Sequence, residues 1–408
     1  MSVLFCNGLL YATWGVNVPN VKDKFGLSEG SLALAMAAVA LGGIVTMGRA
    51  GRWIGAHGSG KASVLSALLM AMLAAPILLV PTCPLLLLLL CGFGIVTAAN
   101  DVAANSQGAL LEKISGESMI GSLHGSFSIG GLCGALIASN WSVTALTVPS
   151  NFYWLALAVG VIAATARPFL KSESSCHRTT EAGPRSAPAD ISLQALAQRR
   201  LRMLGALAFA ALVVEGAIYD WAAVYMREVA GAPPAWVGAG YATFAIGMAT
   251  GRVGGDWVRD RITHQRLVIV SGTLSLVGLS VTLCGVPYWC VAVGFLIAGV
   301  GLSNFIPILF SSAGKLSASA GLAAAEGLAT TTRIAYLGLL AGPIAIGPLA
   351  QAVGLKGSLL LLALALIATC VGWLSLSRAS GGIPWELDGS ESGQRAIQHV
   401  AASPSARC

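Results

Sequence analysis

Ionisable and amide side chains interrupt the apolar stretches of this sequence at a few places. Asp101 stands between Asn100 and Asn105 in "TAANDVAANSQ", which follows the apolar run "PLLLLLLCGFGIV", and His124 lies in the next apolar stretch. A desolvated carboxyl and an imidazole can both change their protonation state near neutral pH. Asp101 and His124 are therefore candidates for proton coupling within a polar network. Buried polar residues also hold neighbouring helices together, so a purely structural role stays open.

A second group of charges lies in the later half of the chain. Glu215 falls near the middle of an apolar stretch with Asp220 closer to its end, and Arg333 lies inside another stretch with Glu326. A charge near the centre of a bilayer costs at least a few kcal/mol unless it faces protein or water. A carboxyl in such a place can hold a proton and release it when water or a cation approaches. Glu215 is the predicted main coupling carboxylate, and a permanent ion pair with Arg333 is the structural alternative.

Aromatic and amide side chains in the same stretches suit stacking against, and hydrogen bonding to, a sugar-like or other small polar solute. Aromatic residues near helix ends are also typical interfacial anchors, so this second interpretation stays open. The predicted solute-binding residues are Trp14, Asn17, Asn100, Asn105, Tyr219, Trp221, Asn304 and Tyr336.

The composition indicates what must position these side chains. Hydrophobic residues make up 56% of the chain and charged residues only 10%, whereas a soluble domain needs about a quarter charged residues. Charge-poor stretches long enough to cross a hydrocarbon core recur with short polar breaks, and their continuous apolar character indicates helices rather than barrel strands. The sequence predicts an all-α integral membrane protein. Its twelve predicted transmembrane helices cover 2–20, 31–49, 63–81, 84–108, 119–140, 152–169, 203–226, 236–254, 267–286, 289–312, 323–347 and 355–376.

Basic residues are distributed unevenly between the two sides of these spans. With the turn after the second span placed in the cytoplasm, nineteen Lys and Arg residues, Arg252 among them, fall on that side. Four fall on the other side, namely Lys22, Lys24, Arg227 and Lys356. This bias predicts a bacterial inner-membrane protein with both termini in the cytoplasm. It also accounts for the net charge of +7, so no nucleic-acid partner is predicted.

Little of the chain is available for a soluble catalytic domain. The segments 170–202 and 377–408 are polar, and neither can bury the core that such a domain requires. The segment "GAHGSGKAS" nearly matches a phosphate-binding loop, but Ala62 replaces the required Ser or Thr, which favours a basic turn. The cysteines show no metal-ligand spacing. The sequence therefore predicts no enzyme, no metal and no cofactor.

Internal repetition divides the chain into two halves. "NGLLYATW" recurs as "EGAIYDW" at an offset of 208 residues, and "GIVTMGRAG" recurs as "GMATGRVG" at an offset of 204. A duplicated six-helix unit in one orientation explains both matches. The predicted organisation is a first six-helix bundle at 1–169, a cytoplasmic linker at 170–202, a second bundle at 203–376 and a flexible cytoplasmic tail at 377–408.

Two cytoplasmic turns resemble the loop signature G-x-x-x-D-[RK]-x-G-[RK]-[RK] of the major facilitator superfamily. The first is "GRWIGAHGSGK" and the second is "GGDWVRDRITHQR", each with part of the pattern lost. Neither turn therefore has the complete set of residues that usually provides a conformational latch in this superfamily. The retained positions are Gly51, Gly58, Lys61, Asp260 and Arg261.

Three further segments, "GFGIVTAANDVAANSQGALLE", "SMIGSLHGSFSIGG" and "EGAIYDWAAVYMRE", resemble the fucose-permease-related, YbjJ-like bacterial branch of that superfamily. The resemblance implies a monomeric secondary transporter that moves a small solute, sugar-like or a drug, by alternating access, driven by protons. Fucose-permease-type symporters carry a Glu before a similar "TAAN", where this chain has Val96, so their proton site cannot be transferred directly. A membrane receptor or scaffold that keeps the fold without transport is the alternative.

Overall fold

The structure is a computed structural model that describes residues 1–115, 120–141, 148–170, 191–259, 261–319 and 324–379. Apart from two short 3₁₀ turns, the regular structure in these ranges consists of twelve α-helices. They are α1 (Ser2–Phe25), α2 (Glu29–His57), α3 (Ser59–Ala74), α4 (Cys83–Ser115), α5 (Ile120–Trp141), α6 (Val148–Ala166), α7 (Ile191–Glu228), α8 (Ala239–Arg259), α9 (His264–Leu283), α10 (Tyr288–Leu302), α11 (Phe305–Ser319) and α12 (Ala324–Ala379).

The predicted all-α class is confirmed, and the first nine predicted spans each coincide with one helix. One difference appears in the second half. The tenth predicted span contains a break at Ser303 and Asn304, which separates α10 from α11. The eleventh and twelfth predicted spans agree with the two limbs of α12, which are separated by a turn at Gly354 with a non-helical φ of 76°.

The turn between α2 and α3 is a single residue. Gly58 has a φ of 88°, which a residue with a side chain rarely adopts, and α3 begins at the next position. The near-match to a phosphate-binding loop therefore lies between two helices, where the strand that such a loop requires is replaced by α2. This geometry agrees with the predicted tight basic turn, in which Lys61 is exposed on the first turn of α3.

The outer surface of the bundle is apolar. Large side chains such as Leu88 and Leu364 are exposed although their helices are strongly hydrophobic. Among the described residues, six helical stretches are long and apolar enough to cross a membrane, namely Glu29–Thr46, Cys83–Gly108, Leu196–Glu228, His264–Leu283, Tyr288–Ser317 and Thr330–Leu376. Such a surface is suited to lipid rather than to water.

Each half contains a closely packed helix pair, α1 with α5 in the first half and α7 with α12 in the second. A Cβ on Gly130 would collide with the Phe5 carbonyl of α1, and a Cβ on Gly338 would collide with the Phe209 carbonyl of α7. Small residues allow helices in membranes to approach this closely. The two glycines are 208 residues apart, and each meets a backbone carbonyl of the first helix of its half, so both halves use the same type of close contact.

The two halves meet mainly where α1 contacts α7, α2 contacts α12 and α5 contacts α8. Several of these contacts lie at the end of the bundle where α1 and α7 finish, which is called the far end below. There a Cβ on Gly347 would collide with the side chain of Ala33, and one on Gly238 with the hydroxyl of Ser139. The halves are thus in van der Waals contact at the far end.

Candidate functional site

The site begins with one face of α7. Glu215 and Tyr219 are four residues apart, so their side chains lie one above the other on the same side of the helix. The Glu215 side chain is only 13% exposed. Asp220 follows directly and is buried at 8% exposure. An apolar helix therefore holds two carboxyl groups away from bulk solvent within two turns.

Arg252 of α8 is the partner that the structure gives to Glu215. Its Nη2 donates to Glu215 Oε1 at 3.1 Å, and its side chain is 34% exposed. The ion pair that the sequence suggested, between Glu215 and Arg333, is replaced by this one. Arg333 has an exposed side chain instead. Because α7 and α8 belong to the same half, the pair is formed within the second bundle.

Aromatic rings surround the ion pair. Tyr219 contacts Tyr241 of α8 with ring centroids 5.0 Å apart, and it meets Phe244 edge to face at 4.8 Å. Tyr241 in turn packs against Gly15 of α1, whose missing Cβ leaves room for the ring. Edge-to-face and tilted ring pairs are favourable aromatic arrangements. They fix Tyr219 in position at the junction between the halves.

The first half reaches the same site through Tyr11 of α1, and α12 of the second half adds Tyr336. Tyr11 of α1 is within electrostatic range of Glu215 and Asp220. Tyr336 of α12 is within electrostatic range of Glu215 and Arg252, and also of Asp101 on α4. Tyr336 therefore interacts electrostatically with the carboxylate of the first half and with the ion pair of the second. The structure brings together predicted residues that are far apart in sequence.

Asp101 itself is hydrogen bonded along α4. The Asn105 Nδ2 donates to Asp101 Oδ1 at 3.2 Å and to the Asp101 carbonyl oxygen at 2.9 Å. Asn100 points elsewhere, since its Nδ2 donates to the Ser63 carbonyl at 3.2 Å and to Ser66 Oγ at 3.0 Å. Asn100 thus fastens α4 to α3. The His124 side chain lies outside the described residues, so its contact with Asp101 stays a prediction.

The remaining predicted solute-binding residues are buried in packing. Trp14 and Trp221 are core side chains at 1% and 0% exposure. Asn17 donates to the Thr13 carbonyl at 2.8 Å and accepts from Asn20 at 2.9 Å. Asn304 donates to Ser303 Oγ at 3.2 Å at the break between α10 and α11. These four side chains contact other parts of the protein in this conformation.

The loop-signature residues lie at the end opposite the far end. Gly51 is part of α2, and Gly58 and Lys61 lie at the turn to α3. Arg261 lies in the turn that follows α8. Asp260 is outside the described residues. The first turn therefore has the position that the family pattern predicts, between the second and third helices.

Sequence reasoning missed Arg252, Tyr11 and Tyr241. Arg252 lies inside the predicted span 236–254 but was counted with the cytoplasmic charges because it is close to the end of that span. In the structure α8 continues to Arg259, about 10 Å beyond Arg252 at 1.5 Å per residue. The repeat carried a signal, since "GMATGRVG" places this arginine inside a helix. Among the described residues, no group of three or more metal-ligating side chains occurs.

Comparisons with known proteins decide the family. The sequence profile of the Major Facilitator Superfamily matches residues 1–333. The chain belongs to this superfamily. An uncharacterized MFS-type transporter of Yersinia pestis is 31% identical over 376 residues, which cover 92% of this chain and 94% of the relative. The membrane protein MosC of Rhizobium meliloti is 30% identical over 370 residues, covering 90% of this chain and 86% of MosC.

Solved structures of the superfamily share the fold. A bacterial homologue of the human lysosomal transporter Spinster, in an inward-facing and occupied conformation, superimposes with a TM-score of 0.72 at 13% identity over 92% of this chain and 95% of its own. The nucleoside transporter NupG gives a TM-score of 0.70 at 11% identity over 92% of this chain and 97% of its own. Both likenesses concern the fold alone. They confirm the predicted architecture of two six-helix bundles.

Membership of the superfamily bears on three of the sequence predictions, namely that the chain spans a membrane, that it transports a small molecule and that it is not an enzyme. The chain is a multi-pass membrane protein and a transporter for a small molecule, since the superfamily and the Yersinia relative are defined by transport. Carriers of this kind move their substrates without converting them, so the prediction that the chain is not an enzyme is confirmed by the family.

Proposed function

We propose that this MFS protein moves a small polar solute by alternating access and couples the movement to a proton at Glu215. The ion pair between Glu215 and Arg252 carries the proposal. Its atoms are 3.1 Å apart, and Glu215 interacts electrostatically with Tyr11 of the first half as well as with Tyr336 of its own half. Charges inside transmembrane helices are costly and commonly mark ion or substrate pathways. A structural tether within one half would not need to face the other half.

The proton acts by changing the partner of Arg252. When Glu215 accepts a proton, it loses the negative charge that holds the guanidinium. A partly buried cation without an acceptor is unfavourable, so Arg252 requires another one. A solute oxygen at the site can provide it. Protonation and solute binding are thereby linked, because both depend on the same guanidinium.

The solute class follows from the side chains around the pair. Tyr11, Tyr219 and Tyr336 offer phenolic hydroxyls and ring faces, and Arg252 offers N–H donors. Such a set suits a neutral solute with several hydroxyl or carbonyl oxygens, of the sugar or polyol type. The superfamily fold supports rocking of the first bundle, 1–169, against the second, 203–376, about this site.

The remaining assignments follow the distribution of basic residues. We place both termini, the linker 170–202 and the tail 377–408 in the cytoplasm of a bacterium, with the protein in the inner membrane as a monomer. The far end is then periplasmic. A receptor or scaffold without transport is the second candidate, and the erosion of the loop signature at Gly55 favours it.

The test replaces Glu215 by Gln in protein reconstituted into liposomes. A panel of labelled sugars, polyols and nucleosides first identifies a transported solute with the unaltered protein. Glu215→Gln should then abolish accumulation driven by a pH gradient, because the amide cannot accept the proton. Counterflow exchange of the same solute should persist, because exchange needs no net proton movement.

Asp220→Asn is the matched control, since it neutralises the neighbouring carboxyl and leaves the Arg252 pair intact. Gradient-driven accumulation that persists in well-folded Glu215→Gln would exclude the coupling role. Failure of the unaltered protein to move any solute of the panel, in either mode, would favour the receptor.

A further inference from the structure

We propose that four charged residues at the far end, Lys22 and Asp23 of α1 with Arg227 and Glu228 of α7, form a reciprocal gate. The gate holds the two halves together when it is paired, and it must open for solute to enter or leave at that end. The proposal rests on the alternating-access part of the proposed function, and it does not depend on the proton site. The four residues are called the clasp below.

The clasp is made of two crossed ion pairs. Lys22 Nζ donates to both carboxylate oxygens of Glu228 at 2.8 Å. Arg227 donates through Nη1 to Asp23 Oδ2 at 2.7 Å and through Nη2 to Asp23 Oδ1 at 3.0 Å. The second pair has the two-pronged geometry that gives arginine–carboxylate bonds their directional specificity. Each helix end therefore supplies one cation and one anion to the other.

The two helix ends are related by the internal repeat. Lys22 and Arg227 are 205 residues apart, as are Asp23 and Glu228. This offset lies between the 204 and 208 of the repeated segments. The same basic–acidic dipeptide thus finishes the first helix of each half, and each copy is complementary to the other. An accidental surface contact would not be expected to follow the repeat.

The two pairs differ in their exposure. In the first pair, the side chains of Lys22 and Glu228 are 15% and 30% exposed. In the second, Arg227 is 25% exposed and Asp23 is 67% exposed. Exposed ion pairs are screened by solvent and salt. The ion pair of Lys22 and Glu228 therefore contributes most of the attraction between the ends of α1 and α7.

Lys22 is further secured by α2. Its Nζ also donates to Glu29 Oε1 at 3.1 Å. Burial acts to lower the pKa of Lys22, but the hydrogen bonds to Glu228 and Glu29 outweigh burial and raise the pKa. The lysine is therefore fully charged at neutral pH, and its contribution is lost only when the pH rises through that raised pKa. The strength of the clasp therefore depends on ionic strength, whereas the charge of Lys22 does not change when the pH varies around neutrality.

Close packing beside the clasp shows that opening needs a concerted movement. At the same end α2 meets α12 at Gly347 and Ala33, and α5 meets α8 at Ser139 and Gly238. These contacts are apolar or small and carry no charge. The clasp supplies directional, charge-specific bonds across this boundary, because its donors and acceptors are reciprocal between the halves.

The experiment measures the distance between the halves directly and needs no solute. Spin labels are placed on Thr82→Cys in the first half and on the native Cys284 in the second, both exposed near the far end, with the other cysteines replaced. Glu228→Lys places a cation against Lys22 and Arg227. Double electron–electron resonance should show a new population in which the two spin labels are farther apart. Added salt should produce the same population in the protein with the unaltered clasp.

A compensating charge reversal shows whether the effect is specific to the ion pair of Lys22 and Glu228. Adding Lys22→Glu to Glu228→Lys restores an ion pair of opposite polarity, in a Glu29→Gln background that removes the facing carboxylate. The short distance should return. Lys356→Glu is the control, because it reverses a charge at the same end outside the clasp.

A distance distribution that stays unchanged in Glu228→Lys and also in Arg227→Glu would overturn the gate. A longer population in Lys356→Glu would overturn it as well, since the effect would then follow net charge. If Glu228→Lys does not elute as a monodisperse protein, the milder Asp23→Asn with added salt replaces it. The readout is independent of the Glu215 experiment, so either proposal can fail alone.

Discussion

The two halves of the molecule share one architecture, but the side chains at two repeat-related positions make different interactions in each half. Glu215 of the second half corresponds to Asn7 of the first, and Arg252 corresponds to Arg49. In the second half the two side chains form an ion pair at 3.1 Å. In the first half Asn7 donates to the Thr97 carbonyl at 3.4 Å.

Arg49 also behaves differently from its counterpart. It donates to the carbonyl of Val45 on its own helix at 3.1 Å and is exposed. A neutral amide and a solvated guanidinium impose no charge requirement on the first half. The two halves therefore share a scaffold but differ at these positions, since only the second half has the ion pair there.

The largest effect is expected from breaking the ion pair on its cationic side. Arg252→Gln leaves Glu215 as a mostly buried carboxylate without its cation, which should lower the free energy of unfolding by about 3 kcal/mol. Arg49→Gln, at the matching position, should cost about 0.5 kcal/mol or less, because its side chain is exposed. Thermal unfolding in one detergent measures both.

The double variant Glu215→Gln with Arg252→Gln should recover most of the stability lost by Arg252→Gln. Equal losses in Arg49→Gln and Arg252→Gln would show that the halves do not differ in this way. A double variant that is less stable than Arg252→Gln alone would show that the pair does not account for the loss.

An intermediate effect is expected where the halves agree. A Cβ on Gly130 or on Gly338 would collide with a backbone carbonyl of the packed helix, which cannot move aside as a flexible side chain can. Gly130→Ala and Gly338→Ala should each cost about 2 kcal/mol by overpacking. The two losses should agree to within about 1 kcal/mol. A loss confined to one half would mean that the shared contact has been adapted in the other.

A smaller effect than at the two glycines is expected at Asn7. Asn7→Ala removes one long hydrogen bond to a carbonyl that is already part of α4, so the cost should be about 1 kcal/mol or less. Gradient-driven transport should continue, in contrast to Glu215→Gln, because Asn7 carries no titrating proton. Uptake by proteoliposomes at matched protein content tests this. Loss of coupling in Asn7→Ala would place part of the proton step in the first half.

Much of the fold could be predicted from the sequence because a bilayer demands continuous apolar helices of a known length. The break between α10 and α11 was less predictable. Ser303 and Asn304 interrupt a span that is apolar on both sides, and Asn304 packs against α8 at Gly255. This break produces no change in hydrophobicity that would reveal it, whereas the turn at Gly354 fell between two predicted spans.

The candidate site could be predicted in part. Glu215 was visible because an isolated charge in an apolar stretch is costly, and this holds without knowledge of the fold. Its partner was not visible, since pairing depends on which helices are neighbours and on which face each presents. Trp14 and Trp221 suit solute stacking by chemistry, but the same large apolar rings also suit a core, and here both are fully packed.

The reciprocal form of the clasp has a consequence for the origin of the molecule. A basic–acidic dipeptide that pairs with a copy of itself fits a two-fold axis, which is the arrangement of an isologous homodimer. Two identical six-helix chains carrying the dipeptide of Lys22 and Asp23 could associate through this same surface on each chain, without a different complementary surface. Gene fusion would then have inherited a working contact between its halves, leaving each half free to diverge elsewhere, as Asn7 and Glu215 have done.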